Sequence, residues 1–106
     1  MTINIKATKT TLTQGIRDYI DEKITTIQKF IKSEDKIHIE LEVDKKHKSG
    51  LVFRAEIDIR PHGHYADARG SDIYEAIDLV VPKIREQLTK LKDKKISLRR
   101  RRAKLH

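Results

Sequence analysis

Apolar residues recur along this chain at two distinct spacings. Ile3, Ile5 and Ala7 alternate with Asn4 and Lys6, which predicts a first strand over about residues 2–7. From Thr13, a suitable helix N-cap, the spacing changes. Ile16, Ile20, Ile24, Ile27 and Ile31 fall three or four residues apart, with Tyr19 and Phe30 widening the stripe. They predict an amphipathic helix to about Ile31, with Arg17, Lys29 and Lys32 on its outer side and Lys23 near the edge of the stripe. Period two then returns twice. Ile37, Ile39, Leu41 and Val43 mark one strand, and Leu51, Phe53, Ala55, Ile57 and Ile59 the next. The polar, glycine-terminated stretch Lys45–Gly50 reads as their connector, and Pro61-His62-Gly63 as the following turn. Tyr65 to Arg69 form a short fourth strand with small inward residues Ala66 and Ala68.

After Gly70, Ser71 or Asp72 caps a second long helix, and Asp72 with Glu75 approximates a capping box. Its apolar seam is Ile73, Ile77, Val80, Ile84, Leu88 and Leu91, and Pro82 lies inside it, where it removes a backbone hydrogen bond and predicts a bend. The order is β-α-β-β-β-α. Short turns predict a four-stranded, mostly antiparallel sheet, and the two apolar stripes place both helices on one face: an α+β two-layer sandwich, dsRBD-like in its element order. The other sheet face then presents His38, Glu40, Glu42, Arg54, Glu56 and Asp58. The expected organisation is one domain over residues 1–96 and a mobile basic tail over 97–106.

Composition sharpens this picture. With 106 residues, 37% apolar and 38% charged, the chain has room for one thin core under a heavily charged surface. The absence of cysteine excludes disulfides, thiolate zinc sites and a cysteine nucleophile. No apolar run approaches the ~18 residues of a membrane span, and the first residues alternate as a strand does, so the expected location is the cytosol. The net charge of +8 is concentrated at one end. Residues 83–106 hold eleven Lys or Arg against two acids, whereas the first 82 hold thirteen against fourteen. Such a footprint suits a polyanion partner.

Catalytic chemistry is poorly supported. His62-Gly63-His64 lacks a third metal ligand at a useful spacing and reads as a polar turn. Glu40, Glu42, Glu56 and Asp58 invite a two-metal nuclease reading, but on adjacent strands they form a solvated face with Arg54 as a partner. No phosphate-binding glycine loop or nucleophile motif is present, so no enzyme activity, cofactor, metal or small-molecule substrate is expected. On the second helix, Lys83, Lys90 and Lys94 fall within about 40° on one flank of the seam, and Arg85 and Lys92 line the other. Cations one or two turns apart can meet successive phosphates. Aromatic residues are few and sit mostly at core-like or helix-start positions, which favours structured RNA read by shape over stacking on unpaired bases.

The stretch Gly70-Ser71-Asp72-Ile73-Tyr74-Glu75-Ala76-Ile77-Asp78, followed by Lys83-Ile84, Gln87-Leu88, Lys90 and Lys92, resembles the signature helix of the bacterial ribosome hibernation promoting factors and ribosome-associated translation inhibitors. Leu12–Arg17 and Phe53–Glu56 extend the resemblance, which runs to about Ile96. It implies the same β-α-β-β-β-α fold. It also implies binding of a monomer to the small (30S) subunit and 16S rRNA, in free subunits or 70S ribosomes, at the A- and P-site decoding channel. There the protein would block messenger and transfer RNA in stationary phase or stress, without catalysis and without a membrane. Position by position, Lys83 and Lys90 match basic rRNA-facing residues, and Lys23 and Lys29 match basic positions of the first helix. With Arg85, Lys92, Lys94 and Arg99, Arg100, Arg101 and Arg102 they form the expected RNA-binding set. The chain departs from the family pattern at Pro82 and at Arg85-Glu86, where an acid–arginine order is usual. Long members continue into a second domain that pairs two ribosomes; nothing in these residues corresponds to it. The alternative is a double-stranded-RNA-binding module, which normally places lysines at the start of its last helix, where this chain has Asp72-Ile73-Tyr74-Glu75.

Overall fold

The computed structural model describes the backbone of residues 2–47 and 50–104, and the side chains of residues 2–44 and 52–90. The elements are β1 (Thr2–Thr8), α1 (Gln14–Thr25), a 3₁₀ turn (Gln28–Phe30), β2 (Lys36–His47), β3 (Gly50–Arg60), β4 (His64–Gly70) and α2 (Ile73–Lys104). The sheet order is β1-β2-β3-β4, with β1 parallel to β2 and the other pairs antiparallel. It is therefore a mixed, mostly antiparallel sheet.

Both helices cover one face, as their stripes require. Ile16, Ile20, Ile24 and Ile27 meet Ile37, Ile39 and Leu41 of β2, Ala55, Ile57 and Ile59 of β3 and Ala66 and Ala68 of β4 in one buried cluster. The α2 seam of Ile73, Ala76, Ile77, Val80, Val81, Ile84 and Leu88 completes it. Ala66 and Ala68 are small because α2 packs closely over this edge of the sheet.

Three boundaries differ from the sequence reading. The α-helix expected to reach Ile31 ends at Thr25, followed by the 3₁₀ turn. At its end Thr25 and Thr26 hydroxyls donate to the carbonyls of Glu22 and Lys23 at 2.5 and 2.6 Å, while the amides of Thr26 and Ile27 bond three residues back. This β-branched run competes with the α-helical ladder and tightens it. Ile27 nevertheless stays fully buried, which is why the apolar spacing continued past the helix. Secondly, most of the expected Lys45–Gly50 connector is strand: pairing continues to His47 opposite Gly50 after a register shift beyond Asp44. A backbone ladder does not stop where apolar side chains do. Thirdly, α2 continues as helix to Lys104, through most of the segment expected as a tail. Pro82 sits within it on the exposed side.

The two helix starts follow their capping residues. Thr13 Oγ1 accepts from the Ile16 amide at 3.2 Å. Asp72 Oδ1 accepts from the Glu75 amide at 2.8 Å, while Glu75 reaches back to the Ser71 amide and hydroxyl at 3.3 and 3.0 Å. The reciprocal bond thus falls one residue before the cap. Gly70 permits this sharp junction, since a Cβ there would lie 2.9 Å from both the Ala76 amide nitrogen and Glu75 Cβ.

Candidate nucleic-acid interface

Because its seam is committed to the core, α2 presents two polar flanks, one beside β4 and one beside α1. Lys83 and Lys90 occupy the β4 flank. The Lys83 ammonium donates to the Asp67 carbonyl at 2.9 Å. Lys90 pairs with Glu86, one turn earlier, at 2.8 Å, and both side chains are well exposed. The hydrogen bond and charge of Lys90 hold the Glu86 carboxyl below its usual range. A shallow groove of about 390 Å³ separates this flank from β4 and is lined by Tyr65, Asp67, Lys83, Glu86, Gln87 and Lys90.

Arg85 lies on the α1 flank, beside Lys23, Thr26, Asp78 and Pro82, around a smaller groove of about 220 Å³. Lys23 is 3.7 Å from Asp78 and its ammonium stands 5.3 Å from the centre of the Tyr19 ring. The Tyr19 hydroxyl donates to Asp78, and this bond is the main cause that pushes its pKa up to about 12. Tyr19 also meets Tyr74 with ring centres 5.0 Å apart, so the two helices are tied by aromatic contact as well as by charge. Lys29 is separate from both grooves, 5.1 Å from the Phe30 ring on the 3₁₀ turn.

The structure therefore groups Lys83 with Lys90, as the helical spacing predicts, and brings Arg85 beside Lys23 of α1, a neighbour that spacing along one helix does not indicate. Lys92, Lys94 and Arg99 to Arg102 lie on the backbone of α2, and their side chains are outside the described residues, as is Leu91. Two contributors were not singled out by residue type. Asp78 joins Tyr19 and Lys23 across the helix pair, and Gln87 bonds the backbone of Tyr65 through both ends of its amide, at 3.2 and 2.6 Å. Helical spacing places Gln87 near Lys83, but no sequence signal identifies a backbone partner 22 residues away.

The opposite sheet face is a mixed network. Arg54 donates to Asp67 at 3.1 Å, to Glu56 at 3.4 Å and to the Tyr65 hydroxyl at 3.1 Å, and Arg60 pairs with Asp58 at 2.9 Å. Tyr65 in turn donates to Glu56, which is the main cause of its raised pKa. Glu40 accepts from Thr8 at 3.3 Å. Among the described residues no three His, Asp or Glu side chains come together as a metal-ion set. His62 instead closes a turn, with Nδ1 2.6 Å from the buried carboxylate of Asp35. Burial alone would raise the Asp35 pKa, but hydrogen bonds from His62 and the Lys32 amide prevail and hold it below the usual range. No described helix is long and apolar enough to cross a membrane.

Comparison with known proteins agrees with this architecture. The ribosome hibernation promoting factor of Klebsiella oxytoca is 31% identical over 94 residues, covering 89% of this chain and 96% of that protein. Its counterpart in Escherichia coli K12 is 30% identical over 96 residues, with the same coverage. Two solved structures share the fold. A ribosomal subunit interface protein from Coxiella burnetii superposes with a TM-score of 0.74 at 22% identity, covering 88% of this chain and 99% of that one. The N-terminal domain of Thermus thermophilus Protein Y gives 0.67 at 21% identity, covering 86% and 99%. The model of the family described as Sigma 54 modulation protein / S30EA ribosomal protein matches residues 3–96, and this chain belongs to that family.

Proposed function

We propose that this protein is a ribosome hibernation factor that binds the small subunit in the A- and P-site decoding channel and excludes messenger and transfer RNA. The relatives named above supply the ribosome as partner. The observation that carries the reading to this chain is the placement of its charge. Eleven of its Lys and Arg lie between Lys83 and His106, all of them on α2, whose apolar seam is buried and whose Lys83, Arg85 and Lys90 face outward. A rod fixed on one side and cationic on the others suits rRNA phosphates; Lys23, Lys92, Lys94 and Arg99 to Arg102 extend the same contact, and Lys29 on the 3₁₀ turn supplies a separate one. No reaction is required: occupancy alone inhibits translation, in the cytoplasm where ribosomes work. The rival, a general duplex-RNA-binding module, needs cations at the start of α2. That end instead holds Asp72 and Glu75 in its cap.

Sucrose-gradient sedimentation with purified subunits, paired with transfer-RNA occupancy of the P site, tests the proposal. Co-migration with small subunits and loss of P-site transfer RNA at saturating protein are expected. Unchanged occupancy, or binding to free duplex RNA alone, refutes it.

A further inference from the structure

β4 is an edge strand: β3 pairs with one side of it, and the backbone groups of Tyr65 and Asp67 point away from β3. Such groups normally meet water or invite another strand. Here α2 reaches over and meets three of them. Gln87 Oε1 accepts from the Tyr65 amide at 3.2 Å, its Nε2 donates to the Tyr65 carbonyl at 2.6 Å, and Lys83 donates to the Asp67 carbonyl at 2.9 Å. Gln87 thus stands where one residue of a fifth strand would stand. Elsewhere among the described residues α2 meets the sheet through its apolar seam, which fixes which face is buried but supplies no directional bond to a particular strand position. A two-point amide contact is directional, and it lies on the same flank as Lys83 and Lys90.

We infer that Gln87, assisted by Lys83, is a positioning residue that sets the rotation of α2 over β4 and thereby presents Lys90 in register with the rRNA backbone. This inference rests on the ribosome-binding reading above. Gln87→Met keeps the length and apolar stem and removes both bonds. The full chain is titrated with purified small ribosomal subunits over a salt series, in four forms: parent, Gln87→Met, Lys90→Ala and the double variant. A thermal melt confirms that each is folded, and amide exchange at Tyr65 reports the contact directly.

Gln87→Met is expected to bind about 3- to 10-fold more weakly, and to flatten the slope of log affinity against log salt by about 0.7–0.9, the value of one phosphate contact. In the Lys90→Ala background the same substitution should change the slope little, because the contact it positions is already gone. A lower melting temperature with an unchanged slope overturns the inference, as does an equal loss in both backgrounds or an unprotected Tyr65 amide in the parent. Parent protein that leaves subunits unbound fails the underlying reading instead. Parent binding with Gln87→Met indistinguishable from it fails the positioning role alone.

Discussion

Reversing Lys83 and Lys90 together to glutamate separates binding from folding. Seven residues of helix place the two positions about 10.5 Å apart along the axis, beyond the ~8 Å screening length at physiological salt. The two ammonium groups therefore interact little with each other directly, and on the proposed reading each faces a different phosphate. If the whole protein neutralises ~5–8 phosphates, its log–log salt slope is roughly −3.5 to −7. Removing two contacts should flatten that slope by about 1.4–1.8, and the new carboxylates add repulsion on top. Stability should change little. The bond from Lys83 to Asp67 is exposed, of a kind that contributes ~1 kcal/mol, and Lys90 with Glu86 is a solvated surface pair of the kind that contributes little. Fluorescence titration against small subunits between about 50 and 200 mM salt reads the slope, and chemical footprinting of 16S rRNA reads the position. A double variant that stays folded with parental slope and protections would refute the assignment of this flank to rRNA.

Three further outcomes follow from named contacts. Glu86→Gln removes the acid that pairs with Lys90, so binding to small subunits should tighten about 2- to 5-fold at low salt, with the gain vanishing as salt screens the charge; weaker binding on titration would contradict this. Gly70→Ala forces a Cβ to within 2.9 Å of the Ala76 amide nitrogen, and such overpacking costs ~1–3 kcal/mol, with each kcal/mol lowering Tm by roughly 4–8 °C in a domain of this size. A thermal melt shifted by less than about 2 °C would show that the junction yields. Asp35 has a folded pKa below its unfolded value of ~3.9, so its stabilisation is present above about pH 4 and lost as pH falls through the folded value. Denaturant midpoints measured from about pH 5 downward should fall less steeply in Asp35→Asn than in the parent, and equal slopes would refute the role of the His62 contact.

Periodicity revealed the elements and most of the core, because each apolar stripe faces one side for its whole length. It misplaced the end of α1 for an instructive reason: Ile27 is buried through a 3₁₀ turn, whose spacing of three is also a helical one. It understated β2 because backbone pairing to His47 runs beyond the last inward side chain. The flanks of α2 were legible from the angle per residue alone, and Lys83 and Lys90 fall together as that arithmetic requires. Their partners were not. Asp67 serves Lys83 through its carbonyl, and Tyr65 serves Gln87 through its backbone, so side-chain identity at those positions says nothing. The contacts of Asp78 with Tyr19 and of Asp35 with His62 join distant segments, 59 and 27 residues apart, and depend on the packing that brings them together.

The cations of the proposed interface are not idle in the free protein. Lys90 is held by Glu86, Lys23 by Asp78 and Lys83 by a β4 carbonyl. A phosphate must therefore displace or share an existing partner at each of these positions. A diffuse polyanion, with phosphates at arbitrary spacing, gains little from such an exchange, because it replaces one well-placed acceptor with a poorly placed one. A rigid rRNA surface that presents phosphates at the right places gains at each position, and also keeps the ammonium groups where α2 holds them. Arg85 differs: among the described residues it has no ion-pair partner, yet it borders the same groove as Lys23. At the next position, 86, beside Lys90, this chain has an acid. The Arg85-Glu86 order thus sets a cation on the α1 flank and an acid against Lys90 on the β4 flank. On the proposed reading, attraction from a distance falls to Arg85 and the basic C-terminal segment, while the paired lysines discriminate on contact.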